Sequence, residues 1–474
     1  CNWVLNIAEI AGADYADVRI VERRNQTIRA VNGRVSQLSD TVRIGFGVRV
    51  LINSAWGFAC SSDVSFAEAE RVTRLSVDIA KASGLVVNVP VVWPAMPGIN
   101  AAYRTPVEVD PFSIPAEQKI EILLEADAAM RKVNGIRDTK TGTEAFQEKK
   151  VFASTEGRYI EQEITQTGGG LQCGAAGEGE FQQRSYPNRF GRERACAGWE
   201  YVAGLDLPGN GERIANEALQ LLAAPQCPKG VTTVILDGAQ MALVIHETCG
   251  HAVELDRILG QEIPLAGSSF LSEGSVGKFR FGSEYVNIMA NATVPGGLGT
   301  YGYDDEGIPA TKIPLIRNGI FVGYLSNRED AARLGSRPGG VSRADGWSAV
   351  PLARMSNINL EPGDWDLEAL IADTDDGIYM QLCRSLSIDN KRVNFQFGSE
   401  IAWEIKGGKL GRVLKNPTFT GASPQFWASC DAICSQKYWA MWGTDCGKGQ
   451  PSQNVTVGHG TAPARFRNVQ TGVF

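Results

Sequence analysis

The chain has 474 residues, 43% hydrophobic content and a formal net charge of -7, long enough for two or three domains with substantial cores. The acidic balance argues against nucleic acid or an anionic membrane as main partner. No apolar run reaches the roughly 20 residues of a membrane-spanning helix.

Residues 1–95 read as an N-terminal α+β domain. Segments 17–23 and 26–31 are strand-like, and Asn32-Gly33 is a hairpin turn leading into 34–38. Val42, Ile44, Phe46, Val48 and Val50 alternate with other residues, which predicts a strand with one buried face. Ser65-Phe66-Ala67-Glu68 is a capping box opening a helix that stops at Gly84. A proline-dotted stretch from Pro90 to Pro115 marks the boundary to a central α+β domain, 96–228. There Pro115 opens a helix with Ile120, Leu123, Leu124 and Ala128 on one face. A hairpin turns at Glu156-Gly157, and a further helix is predicted from Glu212 to Ala224. Gly168-Gly169-Gly170 is not followed by Lys and Ser or Thr, so it reads as a loop and not a phosphate cradle. The ten scattered cysteines predict reduced thiols in a cytoplasm, with Cys430 and Cys434 too isolated to be half of a zinc ribbon. The first residues carry neither the basic nor the apolar segment of a secretory leader.

The C-terminal domain, 229–474, opens with a buried strand over 231–236, a turn at Asp237-Gly238 and an apolar helix from Ala239. Short strands, Gly-rich turns and acidic runs follow. The expected class is therefore α+β: sheet-plus-helix domains first, then a mainly antiparallel, barrel-like β domain against which the helix packs. That helix holds two of the three histidines of the chain, in His246-Glu247-Thr248-Cys249-Gly250-His251. An H-E-x-x-H pattern places both imidazoles on one helix face as zinc ligands, with the Glu as general base. The spacing here is one residue longer, which turns the rings roughly 140° apart on a regular helix. A π-bulge absorbs the extra residue, and Gly250 is a permissive place for it.

His246-Glu247-x-x-x-His251 with Glu254, then Tyr303-Asp304-Asp305-Glu306-Gly307, then Met355 to Asp364, then Cys446-Gly447-Lys448-Gly449-Gln450 occur in the order of the TldD/PmbA family. The chain resembles its TldD side, a zinc metalloprotease; the PmbA (TldE) side lacks the metal motif. The resemblance implies Zn2+ held by His246, His251 and Cys446, with Glu247 as the base. It also implies small or unfolded peptide substrates and a dimer, with itself or with a PmbA-like subunit. Glu254, Cys249 and His459 compete with Cys446 for the third position. Glu254 otherwise orients a ligand imidazole, and His459 otherwise contacts substrate or belongs to a loop. Asp305 is expected near the cleft or in a solvated turn, and Arg354 as a clamp on a substrate carbonyl or carboxylate. Strands over 400–406 and 409–414 offer an edge to an extended peptide. The runner-up is a non-catalytic regulator acting by protein binding, since the family is also described as modulating DNA gyrase.

Overall fold

The computed structural model describes residues 1–177, 179–449 and 451–472, so Gln450 of the last motif lies outside the described residues. Strands β1 (Tyr15–Val31) and β2 (Arg34–Ile52) pair antiparallel across Asn32-Gly33. Both turn residues have positive φ, 50° and 78°, as a two-residue hairpin loop of this twist requires. The four short strands expected here are thus two long ones. The polar run at Arg23 and Arg24 does not break β1, because those side chains pair with Glu148 and Asp40 on neighbouring strands.

Strands β3 (Ala55–Ser61), β4 (Ile99–Arg104), β5 (Ile136–Ser154), β6 (Arg158–Gly177), β7 (Glu180–Tyr186) and β8 (Glu193–Ala195) complete an eight-stranded sheet. β5 lies directly against β1, so the sheet runs unbroken through the first half of the chain. The three glycines expected in a loop lie inside β6. A Cβ on Gly168 would stand 1.9 Å from the Glu193 carbonyl oxygen, and one on Gly170 2.4 Å from that of Gly191. Glycine is there because β8 and the turn before it press directly on the strand.

One face of the sheet is apolar and carries helices. α1 (Asn2–Ile10), which the sequence reading missed, and α2 (Phe66–Gly84) bury Val18, Phe46, Val48 and Val50. α3 (Ala116–Arg131) and α4 (Leu207–Ala223) bury Ile28, Ala30, Leu171 and Cys173. The Ser65 hydroxyl caps α2 by accepting from Glu68 N–H at 3.4 Å, but the Glu68 carboxylate turns to Arg71 instead of closing the box. α4 begins five residues before the predicted start, capped by Asp206 through Gly209 N–H at 3.1 Å.

The opposite face is ionic and meets the C-terminal half. Arg49 bridges Asp17 (2.7 Å) and Glu306 (3.3 Å), and Lys150 bridges Glu148 (3.0 Å) and Asp305 (2.7 Å). Arg184 meets Glu400 at 3.0 Å. The acidic cluster is therefore neither a solvated turn nor part of the His-bearing cleft. Asp304, Asp305 and Glu306 are all buried; Asp305 and Glu306 fasten the two halves together through Lys150 and Arg49, while Asp304 accepts from the Glu306, Ile308 and Ser342 N–H groups within its own half. Buried charges are held where they are paired, as Asp305 is with Lys150 and Glu306 with Arg49, whereas burial and the neighbouring Glu306 push the Asp304 carboxyl up to about 8.

In the C-terminal half β9 (Gly230–Leu236), β10 (Asp376–Ile388), β11 (Asn394–Lys406) and β12 (Thr418–Ala422) build most of a closed barrel. A ribbon of β13 (Ala440–Lys448) and β14 (Gln453–Thr461) stands beside it, and β15 (Ala464–Thr471) is the fifth barrel strand. The circuit runs β10-β9-β15-β12-β11 and back to β10. Only the β9–β10 pairing is parallel. The α+β expectation with a mainly antiparallel barrel is borne out. The strand Lys409–Leu414 pairs only with β11 and forms the sheet edge foreseen after Gly407-Gly408. None of the ten cysteines is in a disulfide. Among the described residues no helix is long and apolar enough to cross a membrane.

Candidate metal centre

β9 delivers the chain into the core, and Asp237 turns it. The Asp237 carboxylate accepts from Gln240 N–H (2.7 Å), capping the helix Gly238–Ile245 (α5), and from Leu382 N–H (3.2 Å), tying that cap to β10. Every residue of α5 is buried. Apart from Gln240, which accepts from the Ser399 hydroxyl at 2.8 Å, its side chains are apolar, with Met241, Val244 and Ile245 in the main core cluster.

Directly after α5 the helix widens by one residue. His246 to Gly250 form a π-turn closed by His251 N–H to His246 C=O at 3.1 Å. That bond spans five residues and brings the two imidazoles together, with ring centroids 4.9 Å apart and planes at 86°. The Thr248 hydroxyl donates back to the Val244 carbonyl (2.6 Å) and accepts from Trp427 Nε1 (2.8 Å), pinning the widened turn. Gly250 contributes space, not backbone freedom. Its φ is not positive, and a Cβ there would lie 2.2 Å from Met355 Sδ.

The third donor arrives from β13. Cys446 Sγ lies 3.7 Å from His251 Nε2, and the donor atoms of His246, His251 and Cys446 all lie within 4.8 Å of one another. Of the other candidates, Cys249 faces the apolar core, where burial pushes its thiol up. His459 and Glu254 reach the ligands from behind. Ile358 C=O can only accept, so His459 donates to it from Nδ1 (3.2 Å). Its Nε2 then accepts from His246 Nδ1 (2.8 Å), which leaves a lone pair on His246 Nε2. Glu254 likewise accepts from His251 Nδ1 at 3.0 Å, turning the Nε2 lone pair of His251 toward Cys446. These are the partners that fix the tautomer and aim of a ligand imidazole. The variant His459→Phe is expected to lower metal affinity about 10–100-fold with little change in fold, read by competition with a zinc chelator. Unchanged affinity would remove His459 from this role.

Electrostatics around the donors favour metal binding. Burial opposes the charged forms of His246 and His459, keeping both imidazoles neutral. Burial also opposes the Cys446 thiolate, but His251 and Arg354 outweigh it and bring the thiol below its ordinary value. Glu254 is opposed by burial yet held well below the carboxylate range by Lys448, His251 and Arg257. Lys448, two residues past Cys446, donates to Asp256 (2.7 Å) and the Ala353 carbonyl (2.6 Å) and lies 3.3 Å from Glu254. It ties the Cys-bearing strand to the segment after His251.

Glu247 points away from the donors' rear partners and meets Arg392 at 2.7 Å. Burial raises its carboxyl, and His246, His251 and Arg392 together lower it further, so it is ionised. Two sequence expectations need correction. Arg354 is fully buried and bonds the Cys446 and Gln453 carbonyls, so it is committed to the Cys446 strand and is not placed to clamp substrate. Asp305 is committed to Lys150 and Ala344 N–H, away from the donors. Lys448 and Arg392 were missed as site residues. Lys448 lay within the quoted Cys446-to-Gln450 stretch, whereas nothing in the sequence around Arg392 signals the site.

The donor set fits a borderline-soft divalent ion. A tetrahedral zinc with Zn–S near 2.3 Å and Zn–N near 2.0–2.1 Å places sulfur and nitrogen about 3.6 Å apart, and the Cys446–His251 pair stands at 3.7 Å. Were these three residues to hold zinc, one position would be left open, as in catalytic rather than structural zinc sites.

Three sequence families cover the chain: PmbA/TldA metallopeptidase domain 1 over residues 16–80, the central domain over 109–223 and the C-terminal domain over 228–472. A metalloprotease of Methanocaldococcus jannaschii is 34% identical, with 94% of each chain aligned. A metalloprotease TldD homolog of Haemophilus influenzae is 25% identical over 99% of this chain and 95% of its own. The crystal structure of TldE from Thermococcus kodakarensis shares the fold at a TM-score of 0.76, with 18% identity and 99% of each chain covered. With all three domains matched and a full-length relative above 30% identity, the chain belongs to the PmbA/TldD family of metallopeptidases.

Proposed function

We propose that the protein is a zinc-dependent peptidase that hydrolyses small or unfolded peptides, with Glu247 as its general base. The observation that carries this reading is the convergence of His246, His251 and Cys446 beside an ionised carboxylate on the same widened helix turn. Zinc, when bound, supplies Lewis-acid polarisation at the reacting carbonyl and water. Glu247 takes the proton of the attacking water and returns it to the leaving amine. His459 and Glu254 keep the two imidazoles aimed, and Arg354 and Lys448 hold the Cys446 strand in register with the helix.

Accessibility supports the substrate class. The three donor residues are at most 4% exposed, while the Glu247 side chain retains 12%. A folded surface cannot present a scissile bond to a carboxylate so recessed, whereas an extended chain can. Cleavage is therefore expected for an unfolded protein and a short peptide but not for the same protein folded, followed by gel and mass spectrometry with and without chelator. Equal cleavage of both forms would contradict restricted access, and chelator-resistant cleavage would contradict the metal.

A further inference from the structure

The hairpin between β10 and β11 ends in a turn that is fastened at several points. The Asp389 carboxylate accepts from the backbone N–H of Lys391 (3.1 Å), Val393 (2.9 Å) and Asn394 (3.0 Å) and from Asn394 Nδ2 (2.7 Å). The Ser423 hydroxyl donates to Arg392 C=O at 2.7 Å, and Ser268 N–H donates to Asn390 C=O at 2.9 Å. Held this way, Arg392 has a φ of +64°, in the left-handed region that an L side chain enters only at a cost. Such a conformation persists where surrounding bonds over-determine it. Its result is that Arg392 Nη1 reaches Glu247 Oε2 at 2.7 Å from 145 residues away in sequence. Arg392 is 14% and Glu247 12% exposed, so both side chains are largely buried.

We propose that Arg392 is a positioning residue for Glu247: the hairpin tip holds the carboxylate in the orientation that accepts the proton of the attacking water. The proposal rests on the reading of Glu247 as general base. The π-turn fixes only the Glu247 backbone, and a Glu side chain keeps several torsions, the last of them broad. A planar guanidinium removes that freedom, where an ammonium acts only as a point charge. Displacing a reacting group by about 1 Å costs on the order of 10²-fold in rate.

The test uses the full zinc-loaded chain with an unfolded peptide substrate, comparing Arg392→Ala, Arg392→Lys and Glu247→Gln. Arg392→Ala is expected to lose about 10²-fold in kcat with KM and zinc content unchanged. Added guanidinium ion, at concentrations below those that unfold the chain, restores part of kcat in Arg392→Ala and none in Glu247→Gln. Arg392→Lys falls between Arg392→Ala and wild type. A crystal structure of metal-free Arg392→Ala shows the Glu247 carboxylate displaced or in several orientations. Wild-type kcat in Arg392→Ala, a loss that guanidinium leaves untouched, or a Glu247 carboxylate still in place would overturn the proposal. An active Glu247→Gln overturns the general-base reading itself, and the two failures are thereby told apart.

Discussion

Glu247→Gln is expected to reduce kcat by about 10²–10⁴-fold, roughly 2.7–5.4 kcal/mol of lost transition-state stabilisation, while zinc content stays at the wild-type level. The amide is close in shape to the carboxylate and can still accept from Arg392, so the site should keep its architecture. What it loses is a basic oxygen beside His246. Burial works against the charged form of Glu247, and the histidines and Arg392 overcome it, so the wild-type group is ready to take a proton. Single-turnover hydrolysis and elemental analysis on the same preparation decide the matter. Loss of zinc together with activity would make Glu247 a ligand and not the base.

Lys448→Met is expected to destabilise the protein by about 3–5 kcal/mol, because removing one partner of a buried ion pair leaves its carboxylates uncompensated. Lys448 has no exposed side-chain surface and serves Asp256 and Glu254 at once. Arg257 still faces Glu254 at 3.3 Å, which places the effect toward the lower end. The methionine nearly matches the lysine stem in volume, so the loss is electrostatic and not a cavity. Urea unfolding of the metal-free chain measures it, and a change below about 1 kcal/mol, the range of an exposed pair, would refute the argument. Zinc affinity should fall as well, since Lys448 holds the strand of Cys446 against the segment that carries Glu254.

Local physics made part of this site readable in advance. The spacing of His246 and His251 demanded a widened turn if both rings were to share a face, and the backbone bond from His251 to His246 supplies it. Gly250 was read correctly as special but for the wrong reason, because the neighbour that excludes a Cβ is Met355, 105 positions away in the chain. Cys446 was reached only through the family motif, since no periodicity links residues 195 positions apart. Glu254, three residues beyond His251, was open between a competing ligand and an orienting carboxylate, and its contact with His251 Nδ1 accords with the second. Which of its possible roles His459 takes depends on how β14 lies beside α5, and no local pattern carries that. Arg354 was read as a substrate clamp and Asp305 as lying near the cleft or in a solvated turn, because charged residues near a motif suggest solvent. Their burial is a tertiary fact, set by the ionic layer between the sheet and the C-terminal half.

X-ray absorption at the zinc edge of the loaded wild-type chain tests the central claim most directly. One sulfur shell near 2.3 Å and two nitrogen shells near 2.0–2.1 Å, the sulfur lost in Cys446→Ser, is the expected result. A first shell of nitrogen and oxygen alone, unchanged in that variant, would contradict a centre built from His246, His251 and Cys446.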